Sequence, residues 1–506
     1  MTINKFKIFL VIIITGGMNF CSAQNNFVDI IISGTDPKVE PMTGIVFWKG
    51  DHTETDAIAL EFSYMLYNDI VKEKGIYDWT AVDNLLTGIA SRKHQAILRF
   101  RFTYVGKKTS VPDYIKNLSD YKETKGISEG ETTWFPDWRH KELQNFTLEF
   151  YKKFAERYDH DPRLAFIQTG FGLWAEYHIY DGPFIMGRTF PGKDFQKKFF
   201  YQLQNSFINT PWSISIDAAD DTYSPFKETP DLLKIHFGNF DDSFMCEDHS
   251  GYNEESWHFF DKDDRYRYSP AGGEFSYYSD YDQEHVLDIP DGPYGKPYEE
   301  FAKKFKITYM IGNDQPSYQP MERIKEAGIA SGYHFKIESF KISNSKSKVI
   351  IKNVGVAPIY YDAYPAVNGT RSTESLKGLM SDETKEFLID SGGDDPKFSI
   401  ECDRLVKGQS IGFTGNDTSL GILDFKESNF QIYPTFLESG EFLRIRNNSQ
   451  ANGNSYVRIY SMEGKEVFKK NYRNTTDINT LSIKRGIYMV IVLNDQFYSA
   501  KKILIK

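Results

Sequence analysis

The stretch Leu164-Ala-Phe-Ile-Gln-Thr-Gly-Phe-Gly-Leu-Trp-Ala-Glu-Tyr-His178 decides how the larger part of this chain folds. It opens with a mostly apolar run of strand length, and two glycines and several aromatic residues follow. Such a run is typical of a parallel strand that is covered on both faces. Glu176 then stands between Trp174 and His178, although a carboxylate is rarely placed among apolar walls unless it is paired or used. The stretch therefore predicts a buried strand that ends in a functional acid.

Similar apolar runs recur through residues 28–333, and amphipathic helical patterns separate several of them. The predicted helices are Trp79–Lys93, Lys141–Tyr158, Lys193–Phe207 and Met321–Ala330. The predicted strands are Gly44–Trp48, Ala59–Tyr64, Gln95–Arg101, Leu164–Thr169, Trp212–Asp217, Ser243–Cys246, Ser269–Phe275 and Ile307–Ile311. Eight strands with helical crossovers indicate an α/β fold, a (β/α)8 TIM barrel. A doubly wound sheet would need a G-x-G-x-x-G motif after an early strand, and the sequence has none there.

The chain on either side of the predicted barrel has a different character. Residues 1–23 combine a basic start with a short apolar segment and predict a signal peptide cleaved after Ala23, with a lipoprotein ending at Cys21 as the alternative. Residues 334–425 alternate apolar and polar positions between glycine-rich turns and predict a β-sandwich. Residues 430–506 show the same alternation and predict a second, smaller all-β module.

The last module carries the most specific pattern in the sequence. It runs from Ile432-Tyr-Pro434 through Val457-Arg-Ile-Tyr-Ser-Met-Glu-Gly-Lys465 and Gly486-Ile-Tyr-Met-Val-Ile-Val492 to a lysine end. These segments resemble the sorting domain of the type IX secretion system of Bacteroidetes, with Thr435 in the place of the usual asparagine. The resemblance implies that the type IX machinery is a partner and that the protein is secreted or held at the cell surface by way of the periplasm.

Composition restricts the class of partner further. The net charge is −10, which argues against a nucleic-acid binder, because that function needs a clustered positive field. Aromatic residues make up 16% of the chain, and tyrosine and tryptophan are suited to stacking on sugar rings as well as to filling cores. No zinc or calcium spacing occurs, so we expect no metal and no cofactor. We also expect no membrane span after signal removal, and a monomer.

The active site of a TIM barrel lies at the carboxyl ends of its strands. The predicted fourth strand leads to Glu176, and the seventh leads through Gly272 and Gly273 to Glu274. Two carboxylates that face each other are what glycosidic cleavage needs. Asp217, at the end of the fifth strand, competes for one of the two catalytic roles. The structural alternatives are that Glu176 pairs with an arginine of the third strand and that Glu274 caps a turn.

Glutamates at the tips of strands four and seven resemble the large clan of retaining (β/α)8 glycoside hydrolases that includes the family 42 β-galactosidases. Residues 44–420 also resemble the barrel-plus-sandwich proteins of domain-of-unknown-function family 4832, and marine carrageenases and fucanases. The resemblance implies that Glu176 is the proton donor and Glu274 the nucleophile. Ala175 stands where the clan has an asparagine that holds the sugar 2-hydroxyl, which puts the donor role of Glu176 in question.

Further residues are predicted to contact the substrate. Arg99 and Arg101 project from one face of the third strand, where they would either bind sulfate groups or pair with Glu61, Glu176 or Glu274. The predicted substrate-binding residues are Trp48, Glu61, Arg99, Arg101, Trp138, Trp174, His178, Asp220, His236 and Asp241.

The sequence therefore predicts a secreted retaining glycoside hydrolase that cleaves a sulfated algal polysaccharide, a carrageenan, galactan or fucan, within its chain. A polysaccharide lyase on the same scaffold and a non-catalytic glycan-binding barrel are the alternatives.

Overall fold

The computed structural model describes residues 27–247, 252–262, 264–416, 426–427, 430–447, 454–461, 465–473, 475–493 and 497–506. The predicted signal peptide lies outside these residues. The chain divides into two compact units, residues 1–416 and 417–506. No helix among the described residues is both long and apolar enough to cross a membrane.

A closed barrel of eight parallel strands forms most of the first unit. We number these strands β1 (Gly44–Trp48), β2 (Leu60–Leu66), β3 (Gln95–Arg101), β4 (Leu164–Thr169), β5 (Trp212–Ser215), β6 (Gly238–Phe244), β7 (Ala271–Phe275) and β8 (Ile307–Ile311). The sheet closes because β8 pairs with β1, with Met310 opposite Ile45. The predicted TIM barrel is confirmed.

Helices cover the outside of the barrel. They are Tyr67–Ile70, Thr80–Ser91, Asp113–Lys116, Lys141–Tyr158, Lys193–Ser206, Tyr252–Phe260, Arg265–Tyr268, Asp280–His285, Tyr298–Lys304 and Met321–Ile329. The longest one, Lys141–Tyr158, buries one apolar face that includes Phe146, Phe150 and Phe154. The β1–β2 connection, residues 49–59, contains no helix, and that between β5 and β6 contains only short 3-10 turns at Ile216–Ala219 and Pro230–Lys234.

Two antiparallel sheets make up the second part of this unit. One orders the strands Val28–Asp29, Phe335–Ile342, Ser347–Asn353 and Thr384–Ile389, and the other orders Thr370–Arg371, Ala363–Val367 and Phe398–Cys402. We expected residue 28 to begin the barrel, but Val28 pairs with Ile342 instead. The chain thus enters through the sheet module before it reaches β1.

The sheet module packs against the amino-terminal ends of the barrel strands. Tyr361 donates a hydrogen bond to the carbonyl of Ala165 at the start of β4. The Arg404 guanidinium donates to the carbonyl of Leu164 at 3.0 Å, and Gln95 at the start of β3 donates back to the carbonyl of Arg404 at 2.7 Å. The opposite end of the barrel, where the strands finish, therefore lies away from the sheet module.

The second unit is all β. Its larger sheet contains Lys426–Glu427, Phe436–Leu437, Asn454–Ser461, Glu466–Arg473, Gly486–Leu493 and Phe497–Ile505, and its smaller one contains Phe430–Tyr433, Phe442–Asn447 and Thr475–Asn479. A core of its own includes Ile432, Ile445, Val457 and Val490. The predicted small all-β module is confirmed.

Candidate active site

A tight turn after β4 sets the position of Glu176. The turn has room only for glycine at two places: a Cβ on Gly170 would lie 2.1 Å from the carbonyl oxygen of Ala175, and one on Gly172 would lie 1.7 Å from that of His178. Trp174 and Ala175 take left-handed backbone angles, with φ of 54° and 58°. Non-glycine residues in this region carry strain, which is found mostly at functional sites. The turn directs Glu176 into the barrel and leaves Trp174 at the cavity wall.

Each oxygen of the Glu176 carboxylate has a basic side chain next to it. It is 2% exposed, and its Oε1 accepts a hydrogen bond from Arg99 Nη1 at 2.9 Å. Its Oε2 lies 3.2 Å from Nε2 of His178. Two cationic groups around a buried carboxylate stabilise a negative charge on it. Glu176 therefore pairs with an arginine of the third strand, as the structural alternative predicted. Glu176 nevertheless lines the cavity.

The Arg99 side chain is buried in the barrel and hydrogen-bonded there. Its Nε and Nη2 both donate to Gln168 Oε1, at 2.9 and 2.6 Å, and its Nη1 also donates to the carbonyl of Trp174 at 3.1 Å. The ring of Phe240 lies 4.2 Å from the guanidinium carbon. With 1% exposure and a position outside the cavity lining, Arg99 is not placed to reach a sulfate group. The prediction that it binds an anionic substrate is therefore wrong, because its role is to hold Glu176.

His178 joins the tips of β4 and β5. Its Nδ1 lies 3.1 Å from Oδ1 of Asp217, and Ser215 donates to the other oxygen of that carboxylate at 2.7 Å. Burial opposes a charge on the imidazole, but the charge of Asp217 and hydrogen bonds to Asp217 and Glu176 raise the pKa of His178 well above its ordinary value. Burial likewise opposes ionisation of Asp217, and His178 nevertheless lowers its pKa. His178 and Asp217 thus form a charged pair beside Glu176.

Asp242, at the end of β6, completes this cluster. Burial, the charges of Glu176 and Asp217, and a hydrogen bond to Glu176 raise the pKa of Asp242 well above its ordinary value. A raised pKa favours the protonated form of this carboxyl group. Ligand atoms of Glu176, His178 and Asp242 lie within 4.8 Å of one another, which is close enough for a metal ion. Within this cluster, Oδ2 of Asp242 lies 4.0 Å from Nε2 of His178.

Glu274 enters the same cavity from β7. Neither glycine before it has room for a side chain, because a Cβ on Gly272 would lie 2.4 Å from the ring of Tyr309 and one on Gly273 would lie 2.2 Å from the carbonyl oxygen of Asp241. The glycines thus permit close packing, whereas we expected them to form a turn. Burial raises the pKa of Glu274 to about 7, helped by the charges of Glu176 and Asp314 and opposed by Arg99 and a hydrogen bond from Trp48.

These groups open into a single cavity of about 960 Å³ at the carboxyl ends of the strands. Aromatic side chains form much of its wall: Trp48, Tyr64, Tyr104, Trp174, Tyr180, Tyr223, Tyr277 and Tyr278. Its carboxyl groups are Glu129, Glu176, Asp217, Asp220, Asp242, Glu274 and Asp314. Among the described residues no lysine or arginine lines it. The cavity is therefore aromatic and strongly acidic.

The structure brings many of the predicted site residues together. The three predicted catalytic residues, Glu176, Glu274 and Asp217, all line the cavity, as do Trp48, Trp174, His178 and Asp220 among the predicted substrate-binding residues. Arg99 lies beneath the floor. Arg101 stacks 4.2 Å from the ring of Tyr104 and does not line the cavity. The roles of the lining residues in catalysis and binding stay predictions.

Four predicted binding residues lie elsewhere and are corrected. Glu61 is near the start of β2 and pairs with Arg92 at 2.6 Å, at the end of the barrel opposite the cavity. His236 precedes β6 and stacks on Tyr268. Two further residues fill other positions: Trp138 is buried in the core between barrel and helices, and Asp241 accepts a hydrogen bond from Trp257 at 2.9 Å.

Sequence reasoning missed Asp242, Glu129 and Asp314. For Asp242 the cause is a misplaced strand, because we predicted Ser243–Cys246 whereas β6 spans Gly238–Phe244. The alternation along the true strand turns Asp241 outward to Trp257 and leaves its neighbour for the cavity. No sequence pattern around Glu129 indicates a site residue. It reaches the cavity at the tip of a hairpin in the connection between β3 and β4.

Comparison with known proteins assigns the C-terminal unit. Residues 432–506 match the family described as the secretion system C-terminal sorting domain, which confirms the predicted sorting domain. The chain is thus a TIM-barrel protein with a type IX sorting domain, and it is secreted or lies at the cell surface. No curated protein sequence matches the chain.

Solved structures that are similar to the chain include several glycoside hydrolases. They include the galactosidase domain of an α-galactosidase–sucrose kinase (10% identity, TM-score 0.31, 70% of this chain and 55% of that one). A family GH36 α-galactosidase from Geobacillus stearothermophilus is also similar (10% identity, TM-score 0.32, 71% of this chain and 57% of that one). A glycosyl hydrolase family 2 member from Bacteroides cellulosilyticus is similar as well (9% identity, TM-score 0.26, 94% of this chain and 64% of that one). The chain spans less than two thirds of each of them.

Proposed function

We propose that the protein is a secreted glycoside hydrolase in which Glu176 and Glu274 are the catalytic pair. The observation that carries the proposal is the difference between these two carboxyl groups in one aromatic cavity. Glu176 is held as an anion by Arg99 at 2.9 Å, while burial raises the pKa of Glu274 to about 7. Glycosidic cleavage needs one carboxylate and one carboxylic acid whose environments differ in this way.

Glu274 is then the proton donor to the leaving oxygen, and Glu176 attacks the anomeric carbon. The bond to the leaving sugar breaks as the proton moves from Glu274, and a glycosyl ester forms on Glu176. Water activated by the Glu274 carboxylate hydrolyses that ester, so the product keeps the anomeric configuration of the substrate. Arg99 and His178 orient Glu176 throughout, and Asp217 orients His178.

This assignment exchanges the roles that the family resemblance implied. The resemblance made Glu176 the donor, but an acid paired with arginine is a poor proton donor. Asp242 also has a raised pKa, but it belongs to the cluster of Glu176 and His178, with Oδ2 at 4.0 Å from Nε2 of His178. Asp217 is tied to His178 and Ser215 as an anion. Glu274 lines the same cavity as Glu176, and its raised pKa is suited to proton donation.

The acidic wall of the cavity favours an uncharged glycan over the sulfated one that we expected from sequence. With Arg99 bound to Glu176 and Arg101 outside the lining, no described arginine or lysine would offset sulfate groups. The same acidity disfavours a lyase, because lyases act on uronate units whose carboxylate must be neutralised. The sequence prediction of cleavage within the chain is kept as part of the proposal.

The testing experiment is a screen of purified protein against neutral polymers: galactan, mannan, xylan and β-glucan, with carrageenan and fucan as anionic counterparts. We expect new reducing ends and a mixture of oligosaccharides from at least one neutral polymer. Products that absorb in the ultraviolet would identify a lyase, and unchanged chain lengths with retained binding would identify a non-catalytic binder.

The pH dependence of the reaction should report on Glu274. Because this acid must be protonated to donate, kcat/KM should fall about tenfold per pH unit once the pH exceeds its pKa of about 7. The charge of Asp314 raises that pKa, so Asp314→Asn should move the descending limb to lower pH. Steady-state rates between pH 5 and 9 measure both effects, and a limb unmoved by Asp314→Asn would argue against Glu274 as the titrating acid.

Removal of the sorting unit should separate export from catalysis. A chain that lacks residues 417–506 keeps the whole first unit, which contains every cavity residue. We expect it to retain kcat/KM within about twofold and to remain in the periplasm, since the missing unit carries the sorting domain. Activity of the purified shortened protein and its amount in the medium are the two measurements. Loss of activity in a folded shortened protein would contradict this division.

A further inference from the structure

A β-hairpin reaches the cavity from the connection after β3. Its strands, Thr124–Ser128 and Glu131–Phe135, pair in register up to the two-residue turn Glu129–Gly130. Both turn residues have positive φ, 51° and 75°, as a type I′ hairpin turn requires. Asparagine or aspartate is usual at the first of these positions, and glutamate carries a conformational cost there. A glutamate at this tip therefore calls for a reason beyond turn formation.

The side chain of Glu129 fixes two aromatic residues of the β4 turn. Its Oε1 accepts a hydrogen bond from the Trp174 indole nitrogen at 3.3 Å and another from the Tyr180 hydroxyl. The same indole nitrogen lies 2.9 Å from the Tyr180 oxygen. All of these contacts use Oε1, so Oε2 has no hydrogen-bond donor among the described residues. Glu129 thus orients the rings and keeps one oxygen available at the cavity wall.

The Trp174 ring is also fixed from the barrel side. Its backbone carbonyl accepts from Arg99 at 3.1 Å, and the ring of Tyr104 packs edge-on against it at 4.4 Å. Trp174 is only two residues from Glu176, and both line the same cavity. A rigid aromatic surface therefore stands next to the proposed catalytic carboxylate.

We propose that Trp174, Tyr180 and Glu129 form a binding subsite for an uncharged sugar unit of an oligosaccharide, beside the cleavage point. The proposal rests on the proposed glycoside hydrolase function and adds the location of a subsite and the charge class of the sugar. The apolar face of a pyranose packs on the Trp174 ring, and the free oxygen of Glu129 accepts from the hydroxyl groups at the ring edge. Glu129 at the subsite, with Asp220 and Asp314 in the same cavity, repels a sulfated or uronate unit.

Binding measured without turnover tests the subsite. In a Glu274→Gln background, neutral oligosaccharides of four to six units from galactan, mannan, xylan and β-glucan are titrated by calorimetry, with carrageenan oligosaccharides for comparison. Trp174→Ala and Glu129→Gln should each weaken binding of the preferred neutral oligosaccharide by about tenfold. Trp174→Phe, which keeps a ring but loses the N–H group, should have a smaller effect than Trp174→Ala.

Glu131→Gln is the matched control, because it makes the same charge change two residues along the same hairpin at an exposed position outside the cavity lining. It should leave the affinity within about twofold. Equal effects of Glu129→Gln and Glu131→Gln would overturn the subsite, and tighter binding of carrageenan oligosaccharides would overturn its preference for uncharged sugars. Binding that follows the prediction without any cleavage by the native chain would sink the proposed hydrolase function alone.

Discussion

Replacing Glu176 with alanine is expected to lower kcat by about 10²–10⁴-fold, and added azide is expected to restore much of the turnover. The reason is that Glu176 is the carboxylate that Arg99 and His178 hold as an anion, at 2.9 and 3.2 Å. Azide can occupy the space left by the missing side chain and attack the anomeric carbon from the face that Glu176 attacks in the native protein. The product is then a glycosyl azide of inverted configuration, which NMR identifies.

Glu274→Ala is the matched variant for this experiment. It should lose activity on natural glycosides to a similar extent but keep much of its activity on dinitrophenyl glycosides, whose leaving group needs no proton. Azide should then give a glycosyl azide of retained configuration, because it replaces the water of the second step. If Glu274→Ala gives the inverted glycosyl azide and Glu176→Ala the retained one, Glu274 is the nucleophile. The roles implied by the family resemblance are then correct.

The barrel could be predicted from the sequence because most of its strands are buried on both faces. Such strands appear as continuous apolar runs, and β1, β3, β4 and β8 have the predicted bounds. Strand β6 reads Gly-Asn-Phe-Asp-Asp-Ser-Phe, and its polar residues hide it from any search for apolar runs. It is a strand because its neighbours β5 and β7 supply backbone hydrogen bonds on both sides.

The candidate site was predictable where a single segment carries the information. Glu176 and Glu274 each follow an apolar run and glycines that only close packing explains. By contrast, the pairing of Arg99 with Glu176 depends on the register of β3 against β4, which places Arg99 opposite Gln168. The contact between His178 and Asp217 depends likewise on two turns that are distant in sequence. Charged residues could be proposed from sequence, but their partners could not.

Arg99→Met should destabilise the barrel by about 3–5 kcal/mol, the usual cost of removing one partner of a buried ion pair. Methionine fills much of the space of arginine, but it leaves the Glu176 carboxylate buried without its partner at 2.9 Å. It also removes both donors to Gln168, at 2.9 and 2.6 Å. Denaturant unfolding of residues 27–416, followed by tryptophan fluorescence, measures the free energy of unfolding of this unit without the sorting unit.

Arg101→Met is the natural control, since Arg101 lies two residues along the same strand, is half-buried and stacks on Tyr104. We expect it to cost less than about 1 kcal/mol. Combining Arg99→Met with Glu176→Gln should recover part of the lost stability, because the uncharged amide no longer leaves a buried charge unpaired. If Arg99→Met is no more harmful than Arg101→Met, Arg99 does not hold Glu176 as an anion. The charge difference between Glu176 and Glu274, on which the catalytic assignment depends, would then lose its physical cause.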